Sequence, residues 1–219
     1  EAVRRHTYAQ ALEHLRKGAT FQSLRHEAPV RIDFYRARVV DGLGHVVHER
    51  LFAVEIRESG EPLLREPGIL GDFVPADTPA NLPTVASLPE PTEWLHANVL
   101  DPFLEETRND RLAEVERIAA HVELSLTELL QRADEEIGRV ATDVENNLPG
   151  AEGRLAIAEA RHAELLARRE RRRKDLERQR ALTLQAVERI ASVLVLPHAE
   201  RDAPEVRKLR PDFETEAIA

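Results

Sequence analysis

The sequence predicts an α+β fold in which a small antiparallel β-sheet bears a long antiparallel helical coiled-coil hairpin. Three observations carry this expectation. Val30, Ile32 and Phe34 alternate with Arg31, Asp33 and Tyr35, and Phe52, Val54 and Ile56 repeat the pattern beyond Asp41-Gly42. That is the period of strands on either side of a turn. Residues 101–147 and 151–192 place apolar side chains at steps of three and four, the period of paired helices. Val193-Leu194-Val195-Leu196 is β-branched and apolar, and Pro197 stops it.

Taken in order, residues 1–28 form an N-terminal helix and connector. Thr7 is placed to cap a helix over Thr7–Lys17, with Tyr8, Leu12 and Leu15 on its apolar face and Gly18 at its end. Residues 29–74 form the antiparallel platform. Its strands meet at the turn Asp41-Gly42-Leu43-Gly44, the second runs from about His45 to Arg57, and Ile69–Val74 reads as a short third strand. Residues 75–91 hold Pro75, Pro79, Pro83, Pro89 and Pro91, a density that excludes helix interiors and central strands, so the segment is an extended connector.

Residues 92–192 form the hairpin. Trp94 and Leu95 open a first helical stretch, with Trp94 pinning its start onto the sheet. Asp101-Pro102 then has the form of an N-cap followed by proline, a fresh start or a kink. Leu112, Val115, Ala119, Val122, Leu126, Leu129, Ala133, Ile137, Val140 and Val144 make the seam, and Asn146-Asn147-Leu148-Pro149-Gly150 breaks it. The return arm carries Leu155, Ala158, His162, Leu165, Leu176, Val187 and Ile190. An arm of about 40 residues extends roughly 60 Å at about 1.5 Å per residue. From Asp101 to Asn147 there are 13 acidic and 5 basic side chains, a net of −8, and from Arg154 to Arg180 there are 10 basic and 5 acidic, a net of +5. Opposite signs favour pairing of the arms, although each exposed pair contributes only a few tenths of a kcal/mol. Residues 193–197 return to the platform as a strand, and residues 198–219 are a linker tail with a helix starting near Pro211.

Composition bounds the function. Charged residues make up 32% of the 219 and aromatics 4%, which suits long helices better than a large globular core. The net charge of −9 gives no bulk attraction for nucleic acid, so any such contact rests on a local patch. The chain has no cysteine, which removes disulfides and thiol catalysis and makes a cytoplasmic setting the simpler expectation. It has no methionine, at residue 1 or elsewhere, and reads as a piece of a longer polypeptide. No apolar run approaches the ~18 residues of a membrane span.

No catalytic constellation is apparent, and no catalytic, cofactor-binding or metal-ligating residue is assigned. His45 and His48 lie three apart on a strand, on opposite faces. His121 and His162 lie in or near the seam, where they could face each other, and are read as polar residues that set its register rather than as a ligand pair. No glycine-rich loop is followed by the lysine of a phosphate cradle. Asp134-Glu135-Glu136 sits mid-helix and is read as a solvated face. The basic run Arg168, Arg169, Arg171, Arg172, Arg173 and Lys174 is the candidate nucleic-acid-binding surface, because arginines on a helix meet phosphates with little ordering cost. Its alternative role is to complement the acidic first arm. No aromatic is interleaved, so stacking on single strands is not expected.

The order of these features resembles a known family. Pro29-Val30-Arg31 opens a strand, Asp41, Gly42 and Gly44 make a turn, a long helical hairpin follows, and a last apolar strand comes after Arg189-Ile190-Ala191-Ser192. This is similar to the C-terminal region of bacterial RapA-type ATPases, the Swi/Snf-like branch of superfamily two helicases, over about residues 20 to 197. The strands around the turn are longer here and the second arm is richer in arginine. Longer helicases of this kind, including some in phage-defence systems, carry extra C-terminal domains. The resemblance implies an ATP-binding parent hydrolase that translocates on duplex DNA. ATP and magnesium would be held by motor domains upstream in the same polypeptide and not by this region. The function expected is therefore that of a non-catalytic accessory module, regulatory or DNA-guiding, in which a stiff lever steers DNA while the motor cycles. The rival expectation is a protein–protein interaction scaffold that docks another subunit and touches no nucleic acid.

Overall fold

The computed structural model of the chain describes residues 18–199. The helix read at Thr7–Lys17 and most of the linker tail lie outside the described residues. The chain divides into two compact units. Among the described residues the first unit holds 18–38, Glu49–Phe103 and 184–199, and the second holds Val39–His48 and Leu104–Thr183.

The strands are β1 (Ala19–Ser23), β2 (Val30–Val40), β3 (Val46–Ile56), β4 (Pro62–Arg65), β5 (Val74–Pro75), β6 (Thr183–Leu184) and β7 (Glu188–Pro197). They form one seven-stranded sheet in the order β4-β3-β2-β7-β1-β5, with β6 pairing β2 off this path. The small antiparallel platform is thereby corrected. β1 and β7 run parallel, with Ala19 opposite Val193 and Ser23 opposite Pro197, while β2 and β7 run antiparallel, so the sheet is mixed. β7 also begins at Glu188, inside the segment read as helix. Its β-branched positions Ile190, Val193 and Val195 fit a pleated surface buried on both sides better than a helix face. Ile69–Val74 is corrected as well: Pro67 starts a 3-10 turn over Pro67–Asp72, and only Val74–Pro75 pair as a strand.

One face of the sheet carries the apolar core of the first unit, in which Val30, Ile32 and Phe34 of β2 pack with Ala53, Ala191, Val193, Val195 and Phe73. The other face holds charge. Arg31 and Asp33 are both buried there beneath residues 83–89. The Arg31 guanidinium donates to the Asp33 carboxylate at 3.1 Å and to the carbonyls of Val85, Ala86, Leu88 and Pro89. The proline-rich connector is thus fastened by one planar fork of donors that serves acceptors no strand ladder reaches.

The helices are α1 (Thr92–Leu95), α2 (Asp101–Glu145) and α3 (Ala151–Arg180), with a π turn over His96–Leu100 between the first two. Asp101 is helical and does not cap a new helix. Its N–H reaches the His96 carbonyl five residues back, and this wider turn makes room for Pro102, which lacks an N–H and would crowd the carbonyl four residues before it. Leu95, rather than Trp94, is the buried anchor of the helix start.

The helical coiled-coil hairpin over 92–192 is overturned in two respects. First, α3 ends at Arg180 and not at Ser192. The Arg178 carbonyl receives the Ala181 N–H at 3.1 Å and the Gly42 N–H at 2.8 Å, which satisfies an orphan group of the helix end. A Cβ at Gly42 would stand 2.7 Å from that carbonyl oxygen, so only glycine fits the approach. Second, the seam of α2 is not a heptad repeat. Leu129 is 37% exposed and Leu130 takes the buried place at 7%. The inward positions step by four from half-buried Val122 to buried Leu126 and by four again to buried Leu130, an insertion that unwinds a supercoil locally. Opposite it, the inward positions of α3 include the half-buried cations Arg169 and Arg172.

Candidate nucleic-acid interface

The basic run lies on α3 in the second unit. Gly150, at φ 72, turns the chain into this helix after Leu148-Pro149. Six cations in seven consecutive residues span every direction around a helix that turns about 100° per residue, so the run is not a single surface. Its members divide by burial and by partner. Arg168 and Arg171 are exposed, one turn apart, and have no acidic partner among the described residues. Arg169 and Arg172 are half-buried towards α2. Arg173 makes a two-pronged contact to Glu123, at 2.8 and 3.3 Å. Lys174 lies 3.4 Å from Glu170 on its own helix.

Cross-helix pairs continue along the two helices. Arg161 meets Glu136 at 3.6 Å, His162 meets Asp134 at 3.1 Å, and Arg154 meets Asp143 at 2.9 Å. Partner numbers fall on α2 as they rise on α3. The acidic triplet Asp134-Glu135-Glu136 is largely exposed, and within that solvated surface Asp134 and Glu136 reach α3 while Glu135 accepts from Gln131 at 3.1 Å. His162 faces Asp134 and not His121. These pairs are largely exposed, so they fix which residues face one another more than they stabilise the unit.

Between the two helices near Leu176 runs an open groove of about 720 Å³. Ala119, Ala120, Val122 and Leu176 supply apolar surface, and five cations, among them Arg169, Arg173 and Arg180, outnumber the three carboxylates of Glu123, Glu170 and Glu177. Beyond the groove, the turn at Asp41 is braced by its own carboxylate. Asp41 Oδ1 accepts from the N–H groups of Leu43 and His45 at 2.9 and 3.0 Å, and Arg111 approaches Oδ2 at 3.8 Å. His45 Nδ1 lies 3.5 Å from the same Oδ2 on an exposed ring. No group of three His, Cys, Asp or Glu side chains could hold a metal ion among the described residues.

Two buried polar clusters in the first unit were not anticipated from the residues. In one, Asp33 takes Arg31 and also the Ser192 hydroxyl at 2.6 Å, while Arg189 bridges towards Glu90 at 3.1 Å. The Tyr35 hydroxyl is buried beside this cluster without a hydrogen-bond partner among the described residues. Burial, then the nearby carboxylates of Asp33 and Glu90, push its pKa well above the usual phenol range. In the other, Glu55 is buried between His26, Arg57 and Arg65, with Arg65 donating at 2.7 Å. Strand alternation alone reads Arg31, Asp33 and Glu55 as solvent-facing. For Arg31 and Asp33 the available signal was the proline-rich segment, which has to cover some face of the sheet; for Glu55 the residues gave none.

Compared with family models, with curated proteins and with solved structures, the chain matches none. Among the described residues no helix is long and apolar enough to cross a membrane.

Proposed function

We propose that this chain is a non-catalytic accessory module of an ATP-driven, Swi/Snf-like DNA translocase, and that α3 meets the phosphate backbone of duplex DNA. The observation that carries the reading is the pair Arg168 and Arg171, exposed on one side of a helix and without acidic partners among the described residues. Guanidinium groups held on a helix lose little freedom on meeting phosphate, and each contact releases counterions from the duplex. Lys174 follows Arg171 by one turn but stands about 120° around the helix from Arg168, and its contact to Glu170 is exposed and weak enough to exchange. Arg169, Arg172 and Arg173 are directed to α2 and are not assigned to the duplex. The order of strand, Asp-Gly turn, long helices and closing apolar strand supports the setting in a RapA-type parent.

The test is binding of the whole chain to a fluorescent duplex across a series of salt concentrations. The double substitution Arg168→Glu and Arg171→Glu is expected to weaken binding at least tenfold on every sequence. It also makes the slope of log K against log salt shallower by about 2, close to 0.9 for each phosphate no longer neutralised. Unchanged binding or an unchanged slope overturns the reading. That result would favour the second reading, a protein-binding scaffold, which draws support from the net charge of −9 and from the commitment of Arg173 to Glu123.

A further inference from the structure

We infer that the groove between α2 and α3 docks an acidic amphipathic helix of a partner protein. The groove lies in the second unit, and its apolar surface comes from Ala119, Ala120 and Val122 on α2 and Leu176 on α3. Two alanines in succession keep this side of α2 low, so a neighbouring ridge can enter. The cations along it are incompletely answered. Arg173 meets Glu123 and Arg180 meets Glu177 at 2.7 Å, but Arg169 is half-buried with no acidic group within ion-pair distance among the described residues. The Nε of Arg180 is buried and donates to no group among the described residues. A cation drawn partly out of water without a counter-charge, and a buried N–H without an acceptor, each cost free energy that an incoming carboxylate would recover.

Spacing sets the shape of the occupant. Arg169, Arg173, Leu176 and Arg180 recur at steps of four, three and four, along about 16 Å of one side of α3. A helix of about three turns matches this length, its apolar residues at helical spacing entering over Ala120 and Leu176 and its carboxylates reaching Arg169 and Arg180. A duplex has the charge but no apolar ridge, so it would leave the floor of the groove wet. The rim pairs to Glu123 and Glu177 are exposed and therefore cheap to exchange.

The proposal does not use Arg168 or Arg171, so it and the duplex reading can fail separately. The test is fluorescence anisotropy of the whole chain with a labelled synthetic peptide of about 16 residues, leucine at steps of three and four and glutamate elsewhere. A scrambled peptide of the same composition and polyglutamate serve as controls. The ordered peptide is expected to saturate one site and to bind at least tenfold tighter than either control. Ala120→Trp, at an exposed position that fills the groove, and Arg169→Gln are each expected to weaken it at least fivefold, with helix content by circular dichroism unchanged. Arg168→Glu with Arg171→Glu leaves it within twofold. No saturable binding, equal binding of the scrambled peptide, or undiminished binding by both Ala120→Trp and Arg169→Gln overturns the proposal.

Discussion

Glu55 sits on β3 at 1% exposure, within reach of Arg57, Arg65 and His26. Burial alone raises a carboxyl pKa, but here it is outweighed by hydrogen bonds from His26 and Arg65 and by their charges, and the value falls from 4.5 to about 2. A depressed folded-state pKa contributes stability that is present above the unfolded value and lost as pH falls towards the folded one. The window is therefore about pH 4.5 down to about 2, and the contribution is on the order of 3 kcal/mol. In urea unfolding followed from pH 6 to pH 2, the native chain is expected to lose stability steeply below pH 4.5. Glu55→Gln should start lower at pH 6 and follow a flatter curve, and parallel curves would show that the pairing is energetically idle. Arg31 and Asp33 teach a related lesson about reading residues. Their alternation with Val30, Ile32 and Phe34 gives the strand, but it does not give the cover over the polar face. That cover comes from residues 83–89, more than 50 positions away along the chain.

Elements were legible where the local pattern and the tertiary outcome agree. The turn at Asp41–Gly44 falls where its residues place it, because Asp41 builds it from its own carboxylate within five residues. β1 and β4 left little trace: Ala19–Ser23 mixes polar and apolar side chains, and Pro62–Arg65 is only four residues long. The helical spacing runs past the end of α3 because Val187 and Ile190 continue it by coincidence, while the Arg178 carbonyl is met by Gly42 from a distant turn. The basic run was legible as composition but not as a surface, since only packing shows which of its arginines face α2. The seam offers a direct test of element packing. Burial places Leu130 inside and Leu129 at the surface, against the heptad expectation. Leu130→Ala should cost about 2–4 kcal/mol in denaturant unfolding and Leu129→Ala less than about 1. Equal costs, or the reverse order, would restore the simple heptad.

At the scale of the whole molecule, the chain crosses between its two units at 38/39, 48/49, 103/104 and 183/184. Neither unit is a continuous stretch of sequence, and β2, β3 and α2 each contribute residues to both. The centre of the sheet is assembled late along the chain: β7 lies between β2 and β1, and the Asp33–Ser192 contact spans 159 positions. β1 and β2 therefore lack their shared neighbour until nearly all of the described chain is available, a topology of high contact order that favours slow folding. Shared elements also couple the two units thermodynamically, because melting α2 removes residues from both. Trp94, the only tryptophan, reports on the first unit, and far-UV circular dichroism is dominated by α2 and α3. The two signals are expected to trace one unfolding transition with a common midpoint. Leu130→Ala, a change confined to the second unit, should move both midpoints together. A Trp94 transition left in place while the helical signal shifts would show that the units unfold independently, and that the chain crossings do not bind them into one cooperative structure.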